Sequence, residues 1–435
     1  MQYSRYNIIV PSGAKVFIYN SKTDYFVQVE QQLAELFNHC KEKPEQLKNK
    51  APDFYDHLHE HGFIVNDNTN EAQQLIKEWE TKDAREDVMH VTINPTLNCN
   101  LRCWYCYEEH HAHTLMSENV IKSVFNLFKE SLKQNKYKAY SLSFFGGEPL
   151  LCFNSVVKPL LNNLALLKPA SVKISLHFTT NSTLLDDTIL EYLKPWSPSF
   201  QITIDGNEFI HNMVKSIPNR SAYKIALENI HKLLNSHLKV GIRFNYTAKT
   251  LETFIDVLSD IKSFSDEEKK HCNISFHRIW QDNKIPDADL YTQLSELEDK
   301  FRQEHFYVIS HSSNITDRCY ADKPNNITIN YDGNIYMCTA REFNKENSEG
   351  ILNPDGTIAR NERYNKRMAI RFGNQQCQQC IIYPLCHGGC SQHKLESNIS
   401  NGCYKNFTEQ DKIDFATKRI HDIIKENNTP NNLLV

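Results

Sequence analysis

Hydrophobic and polar positions along this chain follow a period of two near the start, then alternate between strand-like and helix-like spacing, and lose regularity towards the end. At the N-terminus "YNIIV", "AKVFIYN" and "DYFVQV" read as three short strands separated by the turn-forming "PSG" and "SKTD". "QQLAELFNHC" and "FYDHLHEHGF" follow with helical spacing. Three strands and then helices predict a small winged-helix-like module over residues 1–80, with the charged segment 77–87 as its tether. From 88 to 305 strand and helix alternate. The strands are "MHVTINP", "AYSLSFF", "VKISLHFTT", "FQITID", "VGIRFNYT" and "NISFHRIW". Between the first two, 117–134 predicts a helix with Ser117 as N-cap and Val120, Val124, Phe128 and Leu132 on one face. Six such units make an α/β domain with a parallel sheet, either an open doubly wound sheet or a partial barrel. In both, chemistry collects at the C-terminal ends of the strands. Beyond 305, "NITINYDGNIYMC" reads as a hairpin around Asp332-Gly333, and a helix from about Thr408 to Glu426 closes the chain.

Composition narrows the function classes. With 49 Lys+Arg against 53 Asp+Glu there is no basic excess, so nucleic acid is not expected as the main partner. The start lacks a cationic segment followed by an apolar core, and no stretch approaches the ~20 apolar residues of a membrane span. A cytoplasmic protein with no membrane association is expected. The thirteen cysteines are odd in number and clustered at short spacings, which favours metal ligation in a reducing compartment over disulfides. Cys40, Cys152 and Cys272 fit no cluster and are expected as buried small hydrophobes. His57, His59 and His61 alternate along a helical stretch and therefore point to different faces, which favours solvated or capping roles over a metal site.

The densest chemistry is "CNLRCWYC", where Cys99, Cys103 and Cys106 share one loop directly after the first strand of the alternating region. Such spacing turns several thiolates toward one centre, as a soft metal or an iron–sulfur cluster requires. Zinc is the alternative, with His110, His111 or His113 as a fourth ligand. The next strands end in "SFFGGEPL", "TTNS" and "TIDGNEFIHN", and the fifth carries Arg243. Three cysteines with an aromatic residue just before the last, then a GGE motif after the second strand, resemble the radical S-adenosylmethionine (SAM) superfamily. The resemblance implies a partial (β/α)6 TIM barrel in which Cys99, Cys103 and Cys106 hold a 4Fe-4S cluster whose open iron binds SAM. It also implies SAM contacts from Tyr105, Gly146, Gly147, Glu148, Asn181, Asp205 and Arg243. Ser182 stands where the family more often has glycine, and Asn212 and Lys215 replace the usual Asp and Arg after His211. Those departures are expected to affect local packing.

Towards the C-terminus, Cys319, Cys338, Cys377, Cys380, Cys386, Cys390 and Cys403 follow the order of the seven-cysteine SPASM extension of radical SAM enzymes, including the Gly333-x4-Cys338 step. That resemblance implies a C-terminal iron–sulfur domain over 306–435 with two auxiliary 4Fe-4S clusters. Cys377, Cys380, Cys386 and Cys403 would hold one; Cys319, Cys338 and Cys390 would hold the other. Gly388 and Gly389 are expected to let backbone amides approach the sulfurs. Structural zinc is the alternative.

SPASM proteins mostly modify peptides or proteins, and the N-terminal module is similar to winged-helix domains that recognise precursor peptides by strand addition. The implied activity is hydrogen abstraction from a ribosomally made precursor peptide by a 5′-deoxyadenosyl radical, closing a carbon–carbon, ether or thioether crosslink. A flavodoxin- or ferredoxin-type donor would supply electrons. A sulfatase-maturating, formylglycine-generating enzyme is the nearest rival, although Thr339 stands where those enzymes tend to carry an aspartate base. A non-catalytic iron–sulfur or zinc-binding adaptor would require the GGE and arginine matches to be accidental.

Overall fold

The computed structural model describes residues 1–13, 15–167, 172–282, 288–309, 318–397 and 402–427. The chain divides into two compact units at places that differ from the boundaries expected at 80, 88 and 305. One unit comprises Glu86–Ser310 and Lys323–Tyr364; the other comprises Met1–Arg85, His311–Asp322 and Asn365–Val435.

The first unit is built on a sheet of eleven strands. Strands β1 (Val88–Ile93), β2 (Ala139–Phe144), β3 (Lys173–Thr180), β4 (Ser199–Ile204), β5 (Lys239–Tyr246) and β6 (Cys272–Arg278) lie side by side in chain order. All are parallel. They match the six expected strands. Their alternation settles which parallel architecture forms. A doubly wound sheet is covered on both faces, and its strands read as near-continuous apolar runs. Here one face carries Val91, Ile93, Leu142, Phe144, Ile202 and Ile242, all buried in the main core. The other carries Thr92, Ser143, His177, Thr203, Arg243 and Ser275, several of them in direct cross-strand register. A polar inner face is what a partial barrel with an open interior needs.

The helix Glu118–Lys133 lies where expected, and the Ser117 hydroxyl accepts from the Val120 amide at its N-terminus. The short strand β7 (Tyr307–Val308) continues the sheet beyond β6. The expected hairpin forms as β8 (Asn326–Ile329) and β9 (Asn334–Tyr336). It belongs to the barrel sheet, because β8 pairs in parallel with β1. Strands β10 (Gly350–Leu352) and β11 (Ile358–Arg360) extend it further. The helical stretch Pro149–Leu167 is long and apolar enough to cross a membrane by length and composition. Its Leu150, Phe153, Val156, Val157, Leu160, Leu161 and Leu164 are instead buried in the barrel core.

In the second unit, Asn7–Ser12, Lys15–Asn20 and Tyr25–Glu30 form an antiparallel sheet, as the alternation predicts. Both of its faces are used. Val16, Ile18, Val27 and Val29 pack on Phe37, Leu47, Phe54 and Leu58 from the helices that follow. Ile8, Val10, Phe17, Tyr19 and Phe26 pack on Ile382, Leu385, Ala416, Ile420 and Ile423. The expected tether is the end of a helix, Glu71–Arg85, and its Trp79 contacts the rings of Phe372 and Tyr383. Alternation does not keep the histidines wholly apart: His57 and His61, one turn apart, bring their rings to 4.3 Å, and His61 stacks on Tyr25. Deleting residues 1–80 is expected to uncover the apolar face of the C-terminal helix and leave this unit molten. Dye binding and near-ultraviolet dichroism of the truncated chain would show it, and a cooperatively folded truncation would argue against a shared core.

Candidate active site

Just beyond β1 the chain turns through Thr96, Leu97 and Asn98 into the cysteine loop, and the GGE turn after β2 lies directly against it. The Gly147 amide donates to the Thr96 carbonyl (3.1 Å) and the Glu148 amide to the Asn98 carbonyl (2.9 Å). A Cβ on Gly147 would stand 2.1 Å from the Asn98 carbonyl oxygen, and one on Gly146, where φ is +97°, 2.5 Å from that of Thr96. The two glycines therefore let backbone approach backbone. Their close approach, expected to serve a ligand, here anchors the loop that carries the thiols. Gly147→Ala is expected to displace that loop at a cost of about 1–3 kcal/mol and to reduce iron incorporation. Iron and sulfide analysis after anaerobic reconstitution checks this, and parent-level iron would show the contact to be dispensable.

Cys99, Cys103 and Cys106 line one cavity at the C-terminal ends of the strands. Burial, with smaller contributions from Glu148, Glu108 and the nearby sulfurs, pushes the Cys99 thiol up to about 12 and the Cys106 thiol up to about 11. Thiols this close, with carboxylates beside them, ionise readily only around a cation. The donor set fits a soft, sulfur-ligated group.

Tyr105 is held from behind the loop. Its hydroxyl donates to Asp205 Oδ1 at 2.5 Å, and the Lys215 ammonium lies 3.3 Å from the same hydroxyl oxygen. Lys215 also forms a buried ion pair with the other Asp205 oxygen. Burial opposes the lysine charge, but Asp205, Tyr105 and Cys103 outweigh it and the lysine pKa is raised. Next to it, burial and the Lys215 charge hold His211 neutral, down to about 3. Asp205, expected at SAM, is committed to this array, whereas Lys215, expected only to affect packing, lines the cavity.

Glu148 is buried and accepts from the Leu150 amide (3.0 Å), the Thr180 hydroxyl (2.7 Å) and the Asn181 amide (2.9 Å). Burial still pushes it up to about 7. Its carboxylate thus ties the end of β2 to the end of β3. The Asn181 side chain donates to Asn100 Oδ1 at 2.9 Å and approaches the Cys99 sulfur at 3.9 Å. Ser182 follows with φ of +60°, in the left-handed region that explains why glycine suits this position. Arg243 projects from β5 into the cavity, with Nε donating to Asn245. Burial lowers its pKa. Sequence reasoning missed Glu108, which also lines the cavity and is pushed up to about 8 by burial. Its place two residues after Cys106 was the available signal.

Residues 93–261, from the end of β1 through β5, match the family model of the radical SAM superfamily. The chain carries a radical SAM domain. Over 382 residues the chain is 28% identical to the radical SAM cyclopropyl synthase TigE of Paramaledivibacter caminithermalis, covering 78% of this chain and 76% of that one. It is 22% identical to a cysteine-type anaerobic sulfatase-maturating enzyme of Clostridium novyi, over 74% of this chain and 92% of the other. Among solved structures, native anSMEcpe with bound AdoMet and Cp18Cys peptide superposes with a TM-score of 0.61 at 17% identity, over 78% of this chain and 99% of that one. Streptococcus suis SuiB bound to precursor peptide SuiA gives 0.53 at 16% identity, over 91% of this chain and 97% of that one. These likenesses agree with the partial barrel read from the polar inner face of the sheet.

Outside the radical SAM domain, Cys377, Cys380, Cys386 and Cys403 line a cavity of their own with Tyr383, Tyr404, Phe407 and Lys412. Burial pushes the Cys377 thiol up to about 11, and Cys380, Cys386 and Cys403 all act on it. Gly389, where φ is +82°, lies against the Tyr404 ring, which a Cβ would meet at 1.9 Å. Cys390 and the exposed Cys319 belong to this unit and Cys338 to the barrel unit. Asp322, near Cys319 in sequence, is buried and accepts from the Ser391 hydroxyl. Cys40, Cys152 and Cys272 are buried, as expected of small hydrophobes.

Proposed function

We propose that this chain is a radical SAM maturase of a ribosomally made precursor peptide, taking a hydrogen from an unactivated carbon and closing a crosslink. The observation that carries this reading is the three-thiol loop opening onto the polar interior of the barrel sheet. Cys99, Cys103 and Cys106 would hold a 4Fe-4S cluster, which when bound would supply the electron for reductive cleavage of SAM to methionine and a 5′-deoxyadenosyl radical. Around it, Arg243 binds the SAM carboxylate, Asn181 fixes the loop beside Cys99, and Lys215 with Asp205 holds the Tyr105 side of the loop still. Loss of a hydrogen atom from the peptide followed by one further electron and a proton leaves the crosslink. The auxiliary clusters, one on Cys377, Cys380, Cys386 and Cys403 and the other on Cys319, Cys338 and Cys390, would accept that electron. Because both faces of the N-terminal sheet are covered, a precursor leader would add along one of its edge strands, Asn7–Ser12 or Tyr25–Glu30.

A formylglycine-generating reading has the likeness to sulfatase-maturating enzymes in its favour. Against it, the Thr339 carbonyl accepts from the Tyr107 hydroxyl, and the Thr339 side chain offers no carboxylate. Reconstituted enzyme, reductant and SAM should convert the cognate precursor to a product lacking a pair of hydrogens whose fragments stay joined in tandem mass spectrometry. An aldehyde captured by a hydrazine reagent would favour the rival. SAM cleavage with an unaltered precursor would count against both.

A further inference from the structure

Among the described residues, most charged groups lining the barrel cavity have partners, and Glu108 stands apart. Glu148 accepts three hydrogen bonds, Lys215 is paired with Asp205, and Arg278 is paired with Asp282 at 3.0 Å. Arg243 is assigned above to the SAM carboxylate. Glu108 is only 7% exposed, and its Oε2 is buried with no hydrogen-bond partner among the described residues. A buried carboxyl without a donor is destabilising, and native folds leave few of them. One that faces a cavity is completed by what enters the cavity.

The neighbouring surface indicates what that is. Tyr107 and Trp280, which line the same cavity, stack with ring centroids 5.8 Å apart and planes 21° from parallel. The Tyr107 hydroxyl donates to the Thr339 carbonyl at 2.6 Å, so the pair is fixed at one end. Trp280 is 53% exposed, and the Arg341 guanidinium already sits 5.6 Å from its ring centroid. This aromatic surface therefore tolerates a cation. The residues that follow on the same two segments, Glu109 and Glu342, come together with His111, their ligating atoms all within 4.8 Å of one another. Their charge attracts cations to this side of the barrel. A cationic donor meets the Glu108 oxygen with a charge-assisted hydrogen bond, stronger than the one a neutral donor supplies.

We propose that this corner receives a basic side chain of the peptide, lysine or arginine, with its stem along Tyr107 and Trp280 and its head on Glu108. Glu108 would then select which residue of the precursor is presented. The inference rests on the peptide-maturase reading.

The probes are N-acetyl-lysine methylamide, its arginine counterpart and its norleucine counterpart, titrated into reconstituted, SAM-loaded full-length protein by equilibrium dialysis. The two basic probes should bind at least about tenfold more tightly than norleucine, as a charge-assisted hydrogen bond provides. Glu108→Gln should shrink that preference to within about threefold, while Glu108→Asp should keep part of it. Equal binding of lysine and norleucine probes to the parent protein would overturn the proposal without any variant. So would a Glu108→Gln protein whose affinity for SAM fell as far as its affinity for the lysine probe, since Glu108 would then serve the cofactor. A parent that cleaves SAM yet treats the probes alike sinks this inference alone; a parent that cleaves no SAM sinks the maturase reading with it.

Discussion

Alanine at Cys99, Cys103 and Cys106 together is expected to take 5′-deoxyadenosine formation under strong reductant from the parent rate to background. The three thiols sit on one short loop and line one cavity, and burial keeps Cys99 and Cys106 protonated unless a cation is bound among them. The barrel core is formed by other residues, so the variant should fold and keep its secondary structure. The same experiment separates the catalytic reading from an adaptor that holds iron–sulfur clusters or zinc for structure, because only the former makes 5′-deoxyadenosine at all. Chromatography of quenched reactions gives the answer, and a triple variant that works at the parent rate would move the SAM-cleaving centre elsewhere.

Lys215→Met should destabilise the barrel by about 3–5 kcal/mol, the usual result of removing one partner from a buried ion pair. Asp205 would be left with the Tyr105 hydroxyl and with His211, whose Nδ1 lies 3.4 Å from Oδ2 and is buried neutral. Lys215→Arg keeps the charge and should lose less, though the larger guanidinium must be accommodated in a site where Lys215 is only 3% exposed. Denaturant midpoints at neutral pH distinguish the variants, and a loss below about 1 kcal/mol for Met would assign the pair no more than the strength of a surface contact. The neighbouring His211 adds an acid-side signature. Its folded pKa is depressed to about 3, so its contribution is present above the unfolded value of 6.5 and fades as pH falls from 6.5 towards 3.

The strands of the barrel were legible because each alternates polar and apolar residues, and that alternation survives without any knowledge of partners. The cysteine loop was legible for a similar reason: its ligands lie within eight residues of one another. Lys215 was harder, since a lysine just past the end of the short helix Glu208–Val214, four residues after a histidine, carries no local sign of burial. Only the meeting of that helix with Asp205 and Tyr105 makes it part of the site. Glu148 and Gly147 were read at the right place with a different immediate partner, because spacing places a turn near a site but cannot tell a ligand from a neighbouring loop. The unit boundaries were the least accessible. Nothing in "YNIIV" or "AKVFIYN" states that one face will pack on a helix drawn from Glu409–Asn427.

That packing has a consequence for how the protein is made. The strands of Asn7–Glu30 leave the ribosome long before their cover, because the residues that pack on Ile8, Val10 and Phe17 emerge more than 350 positions later. At translation rates of about 5–20 residues per second, this apolar face waits roughly 20–70 s for its cover. During that interval the barrel can form on its own segment, while the N-terminal strands remain clients for a holdase chaperone and a seed for aggregation. Cys403 also follows the barrel segments, so the four-thiol cavity can be loaded with metal only after they have been made. Overproduction should therefore profit more from slowed translation and chaperone supply than from iron and sulfide alone.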